Sequence, residues 1–235
     1  MKLLCGLAVL SLLAWGQEGA QPKQTQKLIR LKYVNADSVQ GLLGIYMAGH
    51  GNLRADERTH MIAVSGPPET VAAVEEAIAK LDVPPLDFEL TVYLISTSTQ
   101  PGDQLPEALA STVKQLHGVF AYKGYQLVDS FVLRGRDGQT QGASAEGTIK
   151  NSTYTFRYNR ASVLEGTPRM VNLQNLNLLI RTPTGYHDEK GNVQYKSSGL
   201  SSDIDIRDGQ KVVVGKSDIN NGESPLILVV TAKVE

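Results

Sequence analysis

The feature that most constrains this chain is a repeated change of hydrophobic period within residues 27–85. Lys27–Val34 partly alternates apolar and polar residues, the period of a strand. Directly after it, Val39, Leu42, Leu43, Tyr46 and Met47 recur at helical spacing. Asn35 can cap that helix, and Asp37 suits its positive end. Gly49 and Gly51 stop it. Asn52–Asp56 reads as a short strand, Asp56–Thr59 as a turn and His60–Ser65 as a more buried strand. Gly66-Pro67-Pro68-Glu69 opens a second helix, because proline fits a first helical turn and an acid favours it. Val71, Val74, Ile78 and Leu81 share its inner face, and Asp82-Val83-Pro84-Pro85 closes it. The order β-α-β-β-α predicts two helices on one face of a three-stranded sheet, burying one small core.

Residues 86–235 read as a mainly β domain with one helix, so the fold class is α+β. Phe88–Ser96 alternates, with Phe88, Leu90, Val92 and Leu94 on one side. Pro106–Leu116 is the helix, with Leu109, Val113 and Leu116 inward. Tyr125–Arg134 returns as a strand before an Asp137-Gly138 turn, and the polar, glycine-rich Thr140–Lys150 reads as an edge strand. Tyr154-Thr155-Phe156-Arg157-Tyr158 alternates as a half-buried strand. Met170–Leu173 and Leu176–Ile180 read as two runs, and Thr182–Tyr195 as a hydrophilic hairpin. Lys211–Val214 and Leu226–Val234 close the chain as buried strands.

The N-terminus carries Lys2, an apolar run from Leu3 to Leu13, and small residues at Ala14 and Gly16. That is the layout of a secretory signal peptide cut after residue 16, and the run is too short to span a bilayer as a helix. Residues 17–26, polar and glutamine-rich, form a flexible lead-in to the 27–85 domain. The only cysteine, Cys5, lies within the leader, so the processed chain has no disulfide and no cysteine-held metal. A formal net charge of -1 gives no global reason to bind nucleic acid or an anionic membrane.

Reactive constellations are not found in this sequence. His50, His60, His117 and His187 show neither HxxxH nor HExxH spacing. Gly142–Glu146 stops short of a nucleophile elbow. Asp218–Glu223 only faintly resembles a calcium loop, with its glycine one place early. Gly41-Leu42-Leu43-Gly44 has the G-x-x-G form of RNA-clamping loops, but its leucines sit on the helix stripe and are expected in the core. The alternating Tyr154, Phe156 and Tyr158 could line a groove or simply pack a sheet.

Several segments resemble the bacterial secretin family. Ile29-Arg30-Leu31-Lys32-Tyr33-Val34-Asn35-Ala36-Asp37, then Leu53 to Gly66, Val74 to Ile78 and Lys80-Leu81-Asp82-Val83-Pro84 are similar to the small secretin N-domains. Ile204-Asp205-Ile206-Arg207-Asp208-Gly209-Gln210-Lys211-Val212-Val213-Val214-Gly215 and Leu226–Val234 are similar to part of the secretin core, and Phe88–Ser96 stands where its first strand begins. The core's proline- and glycine-rich segment has no counterpart between Lys216 and Pro225, and residues 105–165 resemble no known family. The resemblance implies a ring-building module of the periplasm or outer membrane, without enzymatic activity or cofactor. Its partners would be other copies and proteins of a secretion or pilus system, not nucleic acid. The module would present a helix and a strand edge to a neighbour's sheet, with Arg30, Lys32, Arg54 and Arg58 opposite Glu69, Glu75 and Glu76. A periplasmic hydrolase or ligand-binding protein that carries the same module, and an outer-membrane pore subunit, are the alternatives.

Overall fold

The computed structural model describes residues 24–139, 141–218 and 225–235. The expected leader, residues 17–23 of the expected lead-in and most of the calcium-like turn lie outside them. The chain divides into two compact units between Pro84 and Pro85.

The first unit has the order β1 (Thr25–Arg30), α1 (Ala36–Met47), β2 (Asn52–Asp56), β3 (Met61–Gly66) and α2 (Pro68–Leu81). Its sheet is antiparallel with β3 in the centre, order β1-β3-β2. Both helices pack on one face through Val39, Leu43, Met47, Val71, Val74 and Ile78, which close over Ile62 and Val64. The expected βαββα arrangement of two helices on three strands is therefore the one observed.

Three local readings change. β1 starts at Thr25, inside the expected lead-in, and stops at Arg30 rather than Val34. Its early stop has a cause: the Asp82 carboxylate, just past α2, accepts the backbone N–H groups of Lys32 (2.9 Å), Tyr33 (2.8 Å) and Val34 (3.2 Å). These groups turn toward a charge instead of continuing a ladder. Partial burial pushes the Asp82 carboxyl up, but the three N–H donors outweigh it and hold the group below the usual range. Asn35 caps α1 as expected, its Oδ1 accepting from Ser38 N at 2.9 Å. Leu42 and Tyr46, however, are not core; they are 55% and 72% exposed. The stripe Val39–Leu43–Met47 alone satisfies the small interior.

The second unit is a sandwich with a helix on its outside. One sheet holds β4 (Asp87–Ser98), β5 (Gly124–Arg136), β11 (Lys211–Ser217) and β12 (Leu226–Val234) in the order β11-β12-β4-β5. The other holds β6 (Ser144–Ile149), β7 (Ser152–Arg157), β9 (Met170–His187) and β10 (Val193–Arg207), with β8 (Arg160–Leu164) pairing β9 as well. Phe88, Leu90, Val92 and Leu94 face the other sheet, where Tyr154, Phe156, Leu176, Leu178 and Ile180 are buried. Sheet packing thus accounts for the aromatic alternation. On the opposite face of the four-stranded sheet, Ile95, Tyr125, Ile227 and Val229 bury Leu109, Val113 and Leu116 from a 3₁₀ turn (Glu107–Leu109) and α3 (Ala110–Val119).

The two apolar runs expected near Met170 and Leu176 are one 18-residue strand. Asn175 takes a left-handed φ of 51°, and its N–H donates to Asp203 Oδ1 at 2.6 Å. The extra residue changes the buried set from Val171 and Leu173 to Leu176, Leu178 and Ile180. β8 is a strand that the sequence reading did not contain; it is short and pairs only with the first half of β9.

Candidate interaction surface

In the first unit, alternation divides each strand between two faces. Lys27 and Ile29 point to the helices, so Gln26, Leu28 and Arg30 point away from them. Register completes the outward face: Leu28 lies beside Ala63, and Ala63 beside Arg54; Arg30 lies beside Met61, and Met61 beside Asp56. Leu28 is 68% exposed. A shallow groove runs over Leu28, Ala63 and Arg54. The result is an apolar centre with two guanidinium groups at its margin.

The opposite side carries the two helices. Leu42, Ile45 and Tyr46 project from α1 into solvent. Between the helices lies a groove of about 760 Å³, floored by Leu43, Ala73, Val74 and Ala77 and flanked by Leu42 and Tyr46. Glu69 and Lys80 also line it. The small alanines of α2 leave the space that the large residues of α1 border. An apolar surface of this kind is the part of an exposed helix face that loses most water on contact.

The candidate charges fall into two groups. Arg30 and Arg54 lie on the outward sheet face; Arg58 is in the β2–β3 turn and Lys32 in the loop after β1, and all four are exposed. Leu31 N donates to His60 O at 2.8 Å, which brings that loop against the end of the β2–β3 turn. Glu69 is exposed in the first turn of α2. Glu75 and Glu76 are engaged within the chain: Lys27 Nζ donates to Glu75 at 2.6 Å, and Lys80 Nζ to Glu76 at 2.7 Å. The Lys80 hydrogen bond and charge hold the Glu76 carboxyl below its ordinary range. Glu69 is thus the acid of the three without an ion pair among the described residues.

The sequence reading missed Leu28, Leu42, Ile45 and Tyr46 as surface residues. A signal was present: α1 holds more apolar residues than one stripe uses, with Leu42, Ile45 and Tyr46 forming a second set at i, i+3 and i+4.

Of the first unit's histidines, His50 lines the helix groove and His60 closes the β2–β3 turn, its N–H donating to Glu57 O at 3.2 Å. Among the described residues no group of three or more His, Cys, Asp or Glu could hold a metal. No described helix is long and apolar enough to cross a membrane.

Residues 26–86 match the family described as the bacterial type II/III secretion system short domain. A search of curated proteins found no match. Solved structures similar in fold include the type IV competence pilus secretin PilQ of V. cholerae, at 14% identity and TM-score 0.58 over 91% of this chain and 77% of that one. The type II secretin GspD of enteropathogenic Escherichia coli is similar at 12% identity and TM-score 0.57, covering 89% and 87%. The InvG secretin domain of the Salmonella SPI-1 injectisome is similar at 13% identity and TM-score 0.55, covering 92% and 89%.

Proposed function

We propose that this chain, which belongs to the bacterial secretin family through its short domain at residues 26–86, works by subunit association and not by catalysis. The observation that carries the reading is the pair of unlike faces on the first unit. One face offers Leu42, Ile45, Tyr46 and the groove above Ala73 and Ala77, with Glu69 at the margin. The other offers Leu28 and Ala63 with Arg30 and Arg54. The two faces lie on opposite layers of the same unit, so neither can contact the other within one copy. In this reading, contact between copies is head-to-tail, helix face to sheet face, which gives a ring if the rotation closes. Apolar groups form the centre, and Arg54 and Arg30 meet Glu69 at the rim.

In this reading the module sits in the bacterial envelope and serves a secretion or pilus assembly of the type II, type III or type IV pilus kind. Export by the N-terminal leader and association with the outer membrane belong to the same proposal. The folds of PilQ, GspD and InvG support it, since each is a secretin. A hydrolase or small-ligand protein and a membrane-crossing pore are not favoured by these likenesses.

The test is the mass of the purified chain across concentration, by sedimentation velocity, beside Leu42→Glu. The reading expects concentration-dependent oligomers that the variant abolishes. A chain that stays monomeric at every concentration sinks it.

A further inference from the structure

One imidazole lines the groove between α1 and α2. His50 lies in the loop after α1, is exposed, and shares the groove wall with Leu42, Tyr46 and Ala73. Its backbone is held from two sides. His50 N donates to Met47 O at 3.0 Å, which closes the end of α1. Its carbonyl sits over the last residue of β3: a Cβ on Gly66 would lie 2.7 Å from His50 O. Gly66 leads through Pro67 and Pro68 into Glu69, so the loop that carries His50 is packed against the entry to α2. The imidazole is thereby a fixed part of the wall.

The other charged or titratable side chains of the groove are Tyr46 from α1 and Glu69 and Lys80 from α2; β3 adds none. Lys80 is paired with Glu76 at 2.7 Å. Glu69, in the first turn of α2, is the acid left to meet the guanidinium groups of a neighbour. A neutral His50 adds a ring to a wall that already holds Leu42 and Tyr46. A protonated His50 brings a third cation, beside the neighbour's Arg30 and Arg54, to a rim with one unpaired acid. It also has to shed its hydration when a sheet face covers it. Both effects act in the same direction. Histidine is the side chain whose charge ordinarily changes between pH 5 and 8, and His50 is the histidine that lines this groove.

We infer that His50 makes the junction between copies pH-sensitive: the neutral imidazole lets the sheet face of the next copy seat on the helix groove, and its protonation loosens that junction. The inference rests on head-to-tail contact and gives it a sign. Seating takes up the neutral form, so docking of a protonated copy releases one proton, and association weakens as pH falls.

A single junction isolates the effect. Leu28→Glu spoils the sheet face and leaves the helix face, and Leu42→Glu does the reverse, so their equal mixture stops at a dimer. Dimer affinity is read by sedimentation velocity across concentration at pH 7.5 and 5.5. Docking restricted to a neutral imidazole, with the ordinary value near 6.5, predicts a fall of about tenfold between the two. His50→Gln and His50→Phe are each placed first in the copy that supplies the helix face, then in the other copy. The quantity compared is the ratio of the two affinities. In the first position at least one variant should bring the ratio to about one; in the second, where the groove lies outside the junction, the ratio should stay near tenfold. His60, in the β2–β3 turn, remains in every sample, so a response that arises there survives both variants. Equal affinity of the parent mixture at both pH values, a fall that persists in both variants, or loss of the dimer in both overturns the switch and leaves the head-to-tail reading standing. A parent mixture that is monomeric at both pH values removes that reading, and the switch with it.

Discussion

Asp82 shows how much one side chain decides in the first unit. It ends β1, anchors the loop to α1 and sits at the close of α2. Removing it by Asp82→Ala leaves three N–H groups without their charged acceptor, and the expected loss is about 1–3 kcal/mol in urea unfolding. The pH dependence has a fixed sign. A carboxyl held below its ordinary range in the folded chain contributes stability above the unfolded value, near 3.9, and loses it as pH falls through the folded one. The gap between parent and Asp82→Ala should therefore be full at neutral pH and narrow on acidification below about pH 4. Glycines divide just as clearly. Gly44, inside α1, has nothing within 4 Å of a Cβ, so Gly44→Ala should raise thermal stability by up to about 1 kcal/mol. Gly142→Ala places its methyl group on the backbone oxygen of Tyr158 and should destabilise in the same assay.

At the scale of elements, two bulges explain what the sandwich does with its polar groups. The bulge at Val128 moves the odd-numbered residues of β5 from one face to the other: Tyr125 and Leu127 pack under α3, whereas Phe131 and Leu133 pack between the sheets. Asp129 is carried inward by the same shift, and the Tyr154 hydroxyl on the facing sheet donates to it at 2.5 Å. Burial, and then the Asp129 carboxylate, hold the Tyr154 phenol well above the ordinary tyrosine range. Tyr154→Phe leaves that inward carboxylate short of a donor, for an expected cost of about 1–3 kcal/mol by chemical denaturation.

The same bulges mark the limit of legibility in the sequence. Period alone gave β4 and α2, because their inner faces follow one rule from end to end, Phe88 to Leu94 and Val71 to Ile78; for α1 it gave the helix but put Leu42 and Tyr46 on the wrong face. It could not show that Tyr125 and Phe131, six places apart with the same parity, face opposite ways, nor that Asn175 joins two runs into one strand. Both depend on a single inserted residue whose position is set by the partner strand. The surface charges were readable as charges, but not the pairing that ties Glu75 to Lys27 across the layer. The surplus of apolar residues on α1 was readable too, yet their exposure depends on how little interior a three-stranded sheet offers.

For the whole molecule, the account rests on contact between unlike faces of successive copies. Leu42→Glu spoils the helix face and leaves the sheet face; Leu28→Glu does the reverse. The most direct measurement is the sedimentation of each variant alone and of the two mixed in equal amounts. Head-to-tail contact predicts that each is monomeric alone and that the mixture stops at a dimer, since one intact junction remains between the intact helix face of Leu28→Glu and the intact sheet face of Leu42→Glu. A mixture that stays monomeric, or single variants that assemble as the parent does, would contradict it.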